Sequence, residues 1–354
     1  MDLSKCNCEK SGFCPVFRRD MDNKNHHWCK TSTKNKRINY YQQNVGVYKP
    51  QKNFGIIIPC FNKIGGVETW LKSICKHFAG DISEICVISE NPDSSLYQLG
   101  VPVSTGRSSA TKMCSTHNKV LIWGEQIIDP YLSKGRPKKL MFIHHGDEYG
   151  IWANHTFDIQ SSYADKLIAV NKNVADKYNC TLIENYIDQE RCSKSYSPDS
   201  KTVLWAHRMS SEKRPLMLLE IARQMQDYNF IVCGEGNLKE QVLSEMPKNC
   251  TYLGSPRNLC KVLEKCAVFI STADQEAFGY SLGEAIGSNI PVVSYKFGLG
   301  VEYSDFSLEL NSTIEDWVAA INSCSGERSK HSQKLLDRYN EKIFCDKWSR
   351  IIYG

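Results

Sequence analysis

The chain has 354 residues, of which 41% are hydrophobic and 23% are charged. This length is too great for one core of typical size, so we expect two domains, and the ordinary composition argues against a disordered chain or a fibrous repeat. The 44 basic and 39 acidic residues leave a net charge of +5, an excess too small to indicate nucleic acid as a partner. The composition therefore predicts a folded protein of the size of an enzyme.

Hydrophobic runs are short throughout the chain. None approaches the length that a membrane-spanning helix needs, and residues 1–20 lack the apolar stretch of a secretory signal. These features predict a cytoplasmic protein in which most of the 16 cysteines are buried thiols, without a disulfide framework. The basic residues between Arg18 and Arg37 favour a solvated surface, with peripheral contact to an acidic membrane as the alternative.

Residues 1–50 are polar and rich in lysine and asparagine, which predicts an appendage outside the two domains. The appendage contains four cysteines and two adjacent histidines: Cys6, Cys8, Cys14, Cys29, His26 and His27. These soft ligands suffice for a tetrahedral structural zinc site, although the spacing lacks the C-x2-C pairs of common zinc modules. Free thiols without a metal are the alternative that the spacing leaves open.

From Phe54 onward, short apolar strands alternate with amphipathic helical stretches, as in a parallel sheet covered by helices. A first series of strands predicts a lobe over residues 51–192. A polar segment with the composition of a linker follows at 193–201, and a more regular second series predicts a lobe over residues 198–334. Residues 335–354 have helical periodicity and are expected to return to the first lobe.

Two carboxylates, Glu276 and Glu284, lie eight residues apart late in the second series. Glu276 is in a predicted loop, and Glu284 is on a predicted helix that begins near Tyr280 and Ser281. Ligands of open α/β sheets bind at the carboxyl ends of the strands, where the N–H groups of a helix N-terminus attract an anion such as a diphosphate. We therefore expect Glu276 to reach sugar hydroxyls and Glu284 to reach a ribose, although two such carboxylates alone are more often surface charges.

The sequence around this pair resembles a known motif. Glu276, Phe278, Gly279, Glu284 and the run AIGSNIPVVS are similar to the E-x7-E motif of family 4 retaining glycosyltransferases, which have the GT-B fold. The resemblance implies two Rossmann-like lobes with a cleft between them, and a UDP- or GDP-linked sugar as donor, bound mainly by the second lobe. It also implies metal-independent transfer, with retention of configuration, to a hydroxyl of a glycan, lipid-linked or protein acceptor.

A cationic pair follows the predicted strand TVLWA. Arg208 and Lys213 lie in one loop, where two positive charges are able to neutralise a leaving diphosphate. The family usually has Gly-Arg here with Glu-Lys shortly after, so Arg208, Glu212 and Lys213 match the pattern, whereas Ala206 and His207 depart from it. Glycine allows a closer backbone approach to phosphate than a residue with a Cβ, so the departures bear directly on donor binding.

Three smaller elements extend the resemblance. Gly65 and Gly66 form a turn after the first strand that is similar to the family's GG-x-E start and lets the backbone approach a donor phosphate. A later strand ends in His144 and His145, where family members often have a histidine that contacts the donor sugar. His145 is preferred because it lies just past the strand, although a single histidine is more often structural. Gly234 belongs to a Gly-x-Gly turn that is similar to one in the family.

Together these features predict a site. The expected catalytic residues are Glu276, Arg208, Lys213 and His145. The expected donor-binding residues are Gly65, Gly66, His144, Gly234, Phe278, Gly279, Tyr280, Ser281 and Glu284. One alternative is a nucleotide-sugar-binding or scaffold protein that kept the fold but lost turnover. The departures at Ala206 and His207 suggest it, as does Tyr186, which replaces the usual glycine in a segment that resembles the family's Asn-Gly-Val-Asp turn. An epimerase or phosphorylase of the same fold is a second alternative, which the E-x7-E context disfavours.

Overall fold

The computed structural model describes residues 54–61, 65–124, 128–146, 151–192, 196–197, 199–256 and 258–354. The candidate zinc ligands Cys6, Cys8, Cys14 and Cys29 lie outside these ranges. Within them, no group of three His, Cys, Asp or Glu side chains is arranged to hold a metal ion. None of the helices in this part of the chain is both long and apolar enough to cross a membrane.

The first lobe is built on a seven-stranded parallel sheet. Its strands are β1 (Phe54–Ile58), β2 (Glu84–Val87), β3 (Val103–Thr105), β4 (Lys119–Trp123), β5 (Lys139–His144), β6 (Lys166–Ala169) and β7 (Thr181–Leu182), in the order β3-β2-β1-β4-β5-β6-β7. The helices of this lobe are α1 (Gly66–Phe78), α2 (Arg107–Thr116), α3 (Asp129–Leu132), α4 (Ile151–Tyr163) and α5 (Lys172–Lys177). All five residues of β1 are buried, as expected for a parallel strand covered on both faces.

The second lobe repeats the arrangement with six parallel strands. They are β8 (Thr202–Ala206), β9 (Asn229–Cys233), β10 (Cys250–Tyr252), β11 (Val268–Ser271), β12 (Val292–Tyr295) and β13 (Phe306–Leu308), in the order β10-β9-β8-β11-β12-β13. The helices are α6 (Pro215–Gln224), α7 (Lys239–Ser244), α8 (Cys260–Leu263), α9 (Tyr280–Gly287), α10 (Gly300–Tyr303) and α11 (Ile314–Cys324). The two sheets confirm the prediction of two α/β lobes.

Strand order reverses direction at one place in each sheet, between β1 and β4 and between β8 and β11. In open α/β sheets, the loops at the carboxyl ends of the strands that flank such a reversal form a crevice where ligands bind. Here those loops contain the Gly65–Gly66 turn in the first lobe and residues 207–214 and 272–279 in the second. The topology thus collects the sequence-predicted cationic and acidic loops at neighbouring strands.

The C-terminal segment differs from the single helical stretch that its periodicity predicts. It forms α12 (Ser332–Arg338) and α13 (Glu341–Ile352), because Asn340 starts a new helix by accepting a hydrogen bond from the Ile343 N–H at 2.9 Å. Phe344 and Trp348 of α13 are buried in the core of the first lobe, whereas Leu335 of α12 is buried in a core cluster of the second. The end of the chain therefore contributes to both cores.

Polar contacts also join the lobes. The guanidinium of Arg338 pairs with Glu184 at 3.0 Å and with Glu302 at 2.7 Å, so one cation bridges residues that follow β7 and residues of α10. The Asn171 side chain, which caps α5, donates a hydrogen bond to the Ala277 carbonyl at 2.8 Å. These contacts bring the loop after β6 next to the loop that contains Glu276.

A substitution in α13 tests its contribution to the first core. Phe344 is only 1% exposed, so Phe344→Ala is expected to lower the free energy of unfolding by about 3–5 kcal/mol through lost burial and a residual cavity. Ile343→Ala on the same helix is the matched control, because Ile343 is 39% exposed. Urea denaturation measures both variants, and equal effects would contradict this packing.

Candidate functional site

An ion pair between Lys213 and Glu276 lies at the carboxyl edge of the second sheet. The Lys213 ammonium is 3.0 Å from Glu276 Oε2 and also donates to the Gln275 carbonyl at 2.6 Å. The side chains of Lys213 and Glu276 are only 13% and 20% exposed. Lys213 follows β8 and Glu276 follows β11, so the structure brings together two residues that the sequence places 63 positions apart.

The two loops that hold this pair are fixed to each other. Thr272, which is fully buried directly after β11, donates its hydroxyl to the Lys213 carbonyl at 2.7 Å and accepts a hydrogen bond from the Trp205 indole at 2.9 Å. The Asp274 N–H donates to the Glu212 carbonyl at 3.0 Å. The pair is therefore held by neighbours that restrict its geometry, as a preorganised site requires.

The environment keeps Glu276 ionised. Burial raises its pKa, but Lys213, His207 and the N–H of Phe278 together outweigh burial, and the pKa of Glu276 lies below its ordinary value. At neutral pH the site therefore contains a carboxylate and an ammonium in direct contact. Either group is available to a ligand only if the other finds a replacement partner or shares its bonds.

Glu284 lies in a different setting, on the first turns of α9 and only 6% exposed. Its Oε1 is 3.3 Å from the guanidinium of Arg191, which ends a short 3-10 turn between the lobes. Burial raises the pKa of Glu284 to about 7, since the lowering by Arg191 does not compensate and Asp188 adds to the increase. This carboxyl group is thus close to half-protonated at neutral pH.

The two carboxylates line separate cavities. Glu284 lines one of about 470 Å³, together with Tyr280, Arg191 and residues of α1 such as Lys72. Glu276 lines another of about 730 Å³, between the loop after β6 and the loop after β12. The structure therefore brings Glu276 next to Lys213, whereas Glu284 has Arg191 as its cationic partner.

The start of α9 separates these two cavities. Gly279 adopts a left-handed conformation with φ of +90°, and the helix begins at Tyr280, as the sequence predicts. The Tyr280 hydroxyl is buried and has no hydrogen-bond partner within the described ranges, while Ser281 is half-buried in the first turn. Phe278 is buried with its ring 5.1 Å from that of Tyr280. This N-terminus offers backbone N–H groups to an anion between the cavities.

The other sequence-predicted residue of the cationic loop, Arg208, is exposed, and its guanidinium forms no ion pair with any residue that the structure describes. The backbone beside it is tightly placed. The His207 N–H donates to the Cys233 carbonyl at 3.1 Å, and a Cβ on Gly234 would lie 1.8 Å from the His207 carbonyl oxygen. Gly234 also has φ of +134°, so glycine is needed there for both conformation and space.

In the first lobe, Gly65 and Gly66 start α1. The Gly65 carbonyl accepts hydrogen bonds from the N–H and the hydroxyl of Thr69, at 3.0 and 2.8 Å. A Cβ on Gly65 would lie 2.1 Å from a carboxylate oxygen of Glu68, whereas the space around Gly66 is open. Gly65 thus allows Glu68 to fold back over the helix N-terminus, and Gly66 leaves the backbone accessible.

Both predicted histidines are neutral. Burial lowers the pKa of His145 to about 3, and its ring lies 4.7 Å from that of Trp70, with Nε2 buried and lacking a partner among the described residues. Burial lowers the pKa of His144 to about 4, and its Nδ1 accepts a hydrogen bond from the Gly146 N–H at 3.1 Å. At neutral pH these side chains therefore carry no charge.

Sequence reasoning missed Arg191 and Thr272. Arg191 carries no local signal for its role, because its contact with Glu284 depends on how the segment between the lobes folds. Thr272 does carry a signal, since it is a polar residue directly after an apolar strand, where side chains face the ligand-binding edge. His207 stood out only as a departure from the family pattern.

Comparisons with known proteins add to this geometry. Residues 187–306 match the family described as glycosyl transferases group 1, and that range contains Arg191, Arg208, Lys213, Glu276 and Glu284. The chain is 25% identical over 249 residues to the GtfA subunit of a UDP-N-acetylglucosamine–peptide N-acetylglucosaminyltransferase from Streptococcus agalactiae, covering 61% of this chain and 48% of that protein. It is 24% identical over 202 residues to a poly(ribitol-phosphate) alpha-N-acetylglucosaminyltransferase from Staphylococcus aureus strain COL, covering 51% and 40%.

The chain thus spans less than half the length of these curated relatives. Among solved structures, Anabaena HepE in complex with UDP-glucose superposes with a TM-score of 0.73 at 16% identity, over 85% of this chain and 100% of that one. Similarity at this level establishes the fold, in which two Rossmann-like lobes form the GT-B architecture. This chain therefore has the GT-B fold, and its residues 187–306 are similar to the glycosyl transferases group 1 family.

Proposed function

We propose that this protein is a retaining glycosyltransferase that moves a hexosyl group from a nucleotide diphosphate sugar to an acceptor hydroxyl without a catalytic metal ion. The observation that carries the proposal is the Lys213–Glu276 pair, 3.0 Å apart within a group 1 domain at the loops after β8 and β11. In such a pair the ammonium faces the leaving diphosphate and the carboxylate faces the sugar. Electrostatic stabilisation of the leaving group is then the main source of catalysis.

Three positively charged features stabilise the negative charge that develops on the diphosphate. Lys213 is already held in place by the Gln275 carbonyl, and Arg208 is exposed with no ion pair to any described residue that would hold it back. The backbone N–H groups at the start of α9, beginning at Tyr280, add the partial charge of a helix N-terminus. Two cations and a helix N-terminus are sufficient to replace a divalent metal in this role.

The sugar is held from both lobes. The ionised Glu276 accepts hydrogen bonds from sugar hydroxyls, which fixes the anomeric carbon relative to the leaving group. From the first lobe, the neutral imidazole of His145 contributes a hydrogen bond without a competing positive charge. No protein nucleophile is required, because the acceptor oxygen itself bonds to the anomeric carbon as the bond from that carbon to the diphosphate breaks. The proton of the acceptor hydroxyl passes to the departing phosphate oxygen, so no general base is needed either.

The nucleotide lies on the side of Glu284. A carboxyl group with a pKa of about 7 both donates and accepts hydrogen bonds at neutral pH, which suits the two hydroxyls of a ribose. UDP is the favoured nucleotide, since one relative is named for UDP-N-acetylglucosamine and HepE binds UDP-glucose. A GDP sugar is the alternative donor. The proposal places the reaction in the cytoplasm, where nucleotide sugars are made.

Retention and acceptor type are supported by the relatives. The Staphylococcus aureus protein is named as an alpha-transferase, and with an α-linked donor an α product corresponds to retention. The relatives are named for a peptide and a poly(ribitol phosphate) acceptor. We extend the acceptor class to a hydroxyl of a protein, a glycan or a lipid-linked polymer.

A panel of UDP and GDP sugars tests the proposal. The true donor is expected to raise the melting temperature of the protein and to be hydrolysed slowly without acceptor, with or without EDTA. NMR of the first product is expected to show the anomeric configuration of the donor. Binding without turnover under any acceptor would indicate a scaffold protein, and release of a sugar phosphate or an epimer would indicate the phosphorylase or epimerase alternative.

Substitution of the central pair is expected to abolish most turnover. Lys213→Ala and Glu276→Ala should each lower turnover at least about 100-fold, because each removes a charged contact in the transition state. Lys261→Ala is the matched control, since Lys261 forms an ion pair of similar length, 3.1 Å, with Glu264 but is 72% exposed. Initial rates with the best donor measure all three, and near-normal rates in both site variants would overturn the assignment.

The raised pKa of Glu284 predicts that the difference in stability between the natural protein and a Glu284→Gln variant depends on pH. The folded state holds the Glu284 proton more tightly than the unfolded chain, so this residue reduces stability as pH rises from 4.5 to about 7. Glu284→Gln has no titrating group at this position. As pH rises through this window, the free energy of unfolding of the variant should therefore increase relative to that of the natural protein, by on the order of 3 kcal/mol in total.

Urea denaturation at several pH values between 4 and 8 measures this difference. Glu264→Gln, at the exposed ion pair with Lys261, controls for the change from a carboxylate to an amide at the surface. A difference between Glu284→Gln and the natural protein that stays constant over the whole range would contradict the assignment.

A further inference from the structure

His207 is a buried polar side chain that the mechanism proposed above does not use. It follows β8 directly, and only 9% of its surface is exposed. Its imidazole is flanked by aromatic rings, with the centroid of Trp205 at 5.2 Å and that of Phe269 at 5.7 Å. Its Nε2 is buried and has no hydrogen-bond partner within the described part of the chain.

This unpartnered nitrogen belongs to a neutral side chain beside the Lys213–Glu276 ion pair. His207 and Lys213 follow β8 and Glu276 follows the neighbouring strand β11, so all three lie at one edge of the sheet. Consistent with this placement, Lys213 lowers the pKa of His207 and Glu276 raises it. Burial is the largest influence and brings the pKa of His207 to about 3, so the ring is neutral. A neutral imidazole protonated at Nε2 is a hydrogen-bond donor that does not compete with Lys213 for the negative charge of a diphosphate.

A buried polar atom without a partner is unfavourable, and in a folded protein it calls for an explanation such as a second state that satisfies it. In the present arrangement the Glu276 carboxylate already has the Lys213 ammonium at 3.0 Å. In the proposed reaction the Lys213 ammonium also binds the leaving diphosphate, and Glu276 then shares or loses one of the hydrogen bonds that hold its position. His207 is a neighbouring side chain whose Nε2 has no partner among the described residues.

We propose that His207 is a positioning residue for Glu276, whose carboxylate it binds through Nε2–H when Lys213 transfers its hydrogen bond to the donor diphosphate. This inference rests on the proposed glycosyltransferase function and assigns a role within the same site. The exchange keeps Glu276 fixed against the sugar while the ammonium serves the leaving group. It involves no proton transfer, because His207 remains neutral in both states.

Two kinds of substitution at His207 distinguish a role in positioning Glu276 from a role in packing. His207→Phe retains an aromatic ring between Trp205 and Phe269 but has no donor, whereas His207→Gln has an amide N–H that reaches a position similar to Nε2. His207→Phe is expected to lower kcat about 10- to 100-fold with less than about a threefold change in donor KM, as for loss of a hydrogen bond to a charged group. His207→Gln is expected to stay within about fivefold of the natural kcat.

Controls identify effects on folding. Melting temperatures and UDP affinity, measured by calorimetry, are compared for all variants, and His207→Leu serves as a second donor-free variant if the Phe ring does not fit. Natural activity in a folded donor-free variant would overturn the inference. Equal loss in His207→Gln and His207→Phe would also overturn it, since packing alone would then explain both.

A double substitution tests whether His207 acts through Glu276. In a Glu276→Gln background, His207→Phe should lower turnover less than threefold, because the carboxylate it positions is already absent. A full 10- to 100-fold further loss would show that His207 acts elsewhere and would overturn the inference. Failure of the natural protein to bind or turn over any nucleotide sugar would instead defeat the proposed function itself.

Discussion

The ion pair between Lys213 and Glu276 is the interaction on which the candidate site depends. Bringing two charges into a largely buried position costs desolvation free energy, which is recovered only when the geometry and surrounding hydrogen bonds are good. Here Thr272 fixes the backbone of Lys213, and the Gln275 carbonyl accepts a second hydrogen bond from the ammonium. The parallel sheet makes this possible, because β8 and β11 are neighbours and both loops leave from the same edge. The pair is thus better understood as a poised binding arrangement than as a source of stability.

The two lobes share the C-terminal segment, and this limits how the angle between the lobes can change. Helix α13 completes the core of the first lobe, whereas α12 packs in the second, with Arg338 between them bridging Glu184 and Glu302. Any change in the angle between the lobes must therefore be accommodated around Arg338 and the segment that contains Arg191. Since Arg191 pairs with Glu284, movement of that segment is coupled directly to one of the two carboxylates of the motif.

Sequence reasoning predicted the parts of the molecule whose signals are local. The apolar strands, the start of α9 at Tyr280 and the loop positions of Lys213 and Glu276 all follow from short patterns. The pairing of Glu284 with Arg191 was not predictable in this way, because it depends on the path of the chain between the lobes. The last strand of the first lobe is short, Thr181–Leu182, and the chain after it leaves the sheet, where the Ile187 N–H bonds the Tyr339 carbonyl.

The two carboxylates of the motif have opposite electrostatic environments, although only eight positions separate them. Glu284 is buried and Glu276 is largely buried, but Lys213 lowers the pKa of Glu276 below its ordinary value, whereas Arg191 fails to offset burial at Glu284. Arg191 is 44% exposed, so water screens its charge, while the Lys213 side chain is only 13% exposed and acts at closer range. A single sequence motif thus supplies one permanent anion and one carboxyl group that titrates near neutral pH. In the proposed reaction, this difference suits a donor whose sugar is held by the charge of Glu276 and whose ribose is held by hydrogen bonds to Glu284.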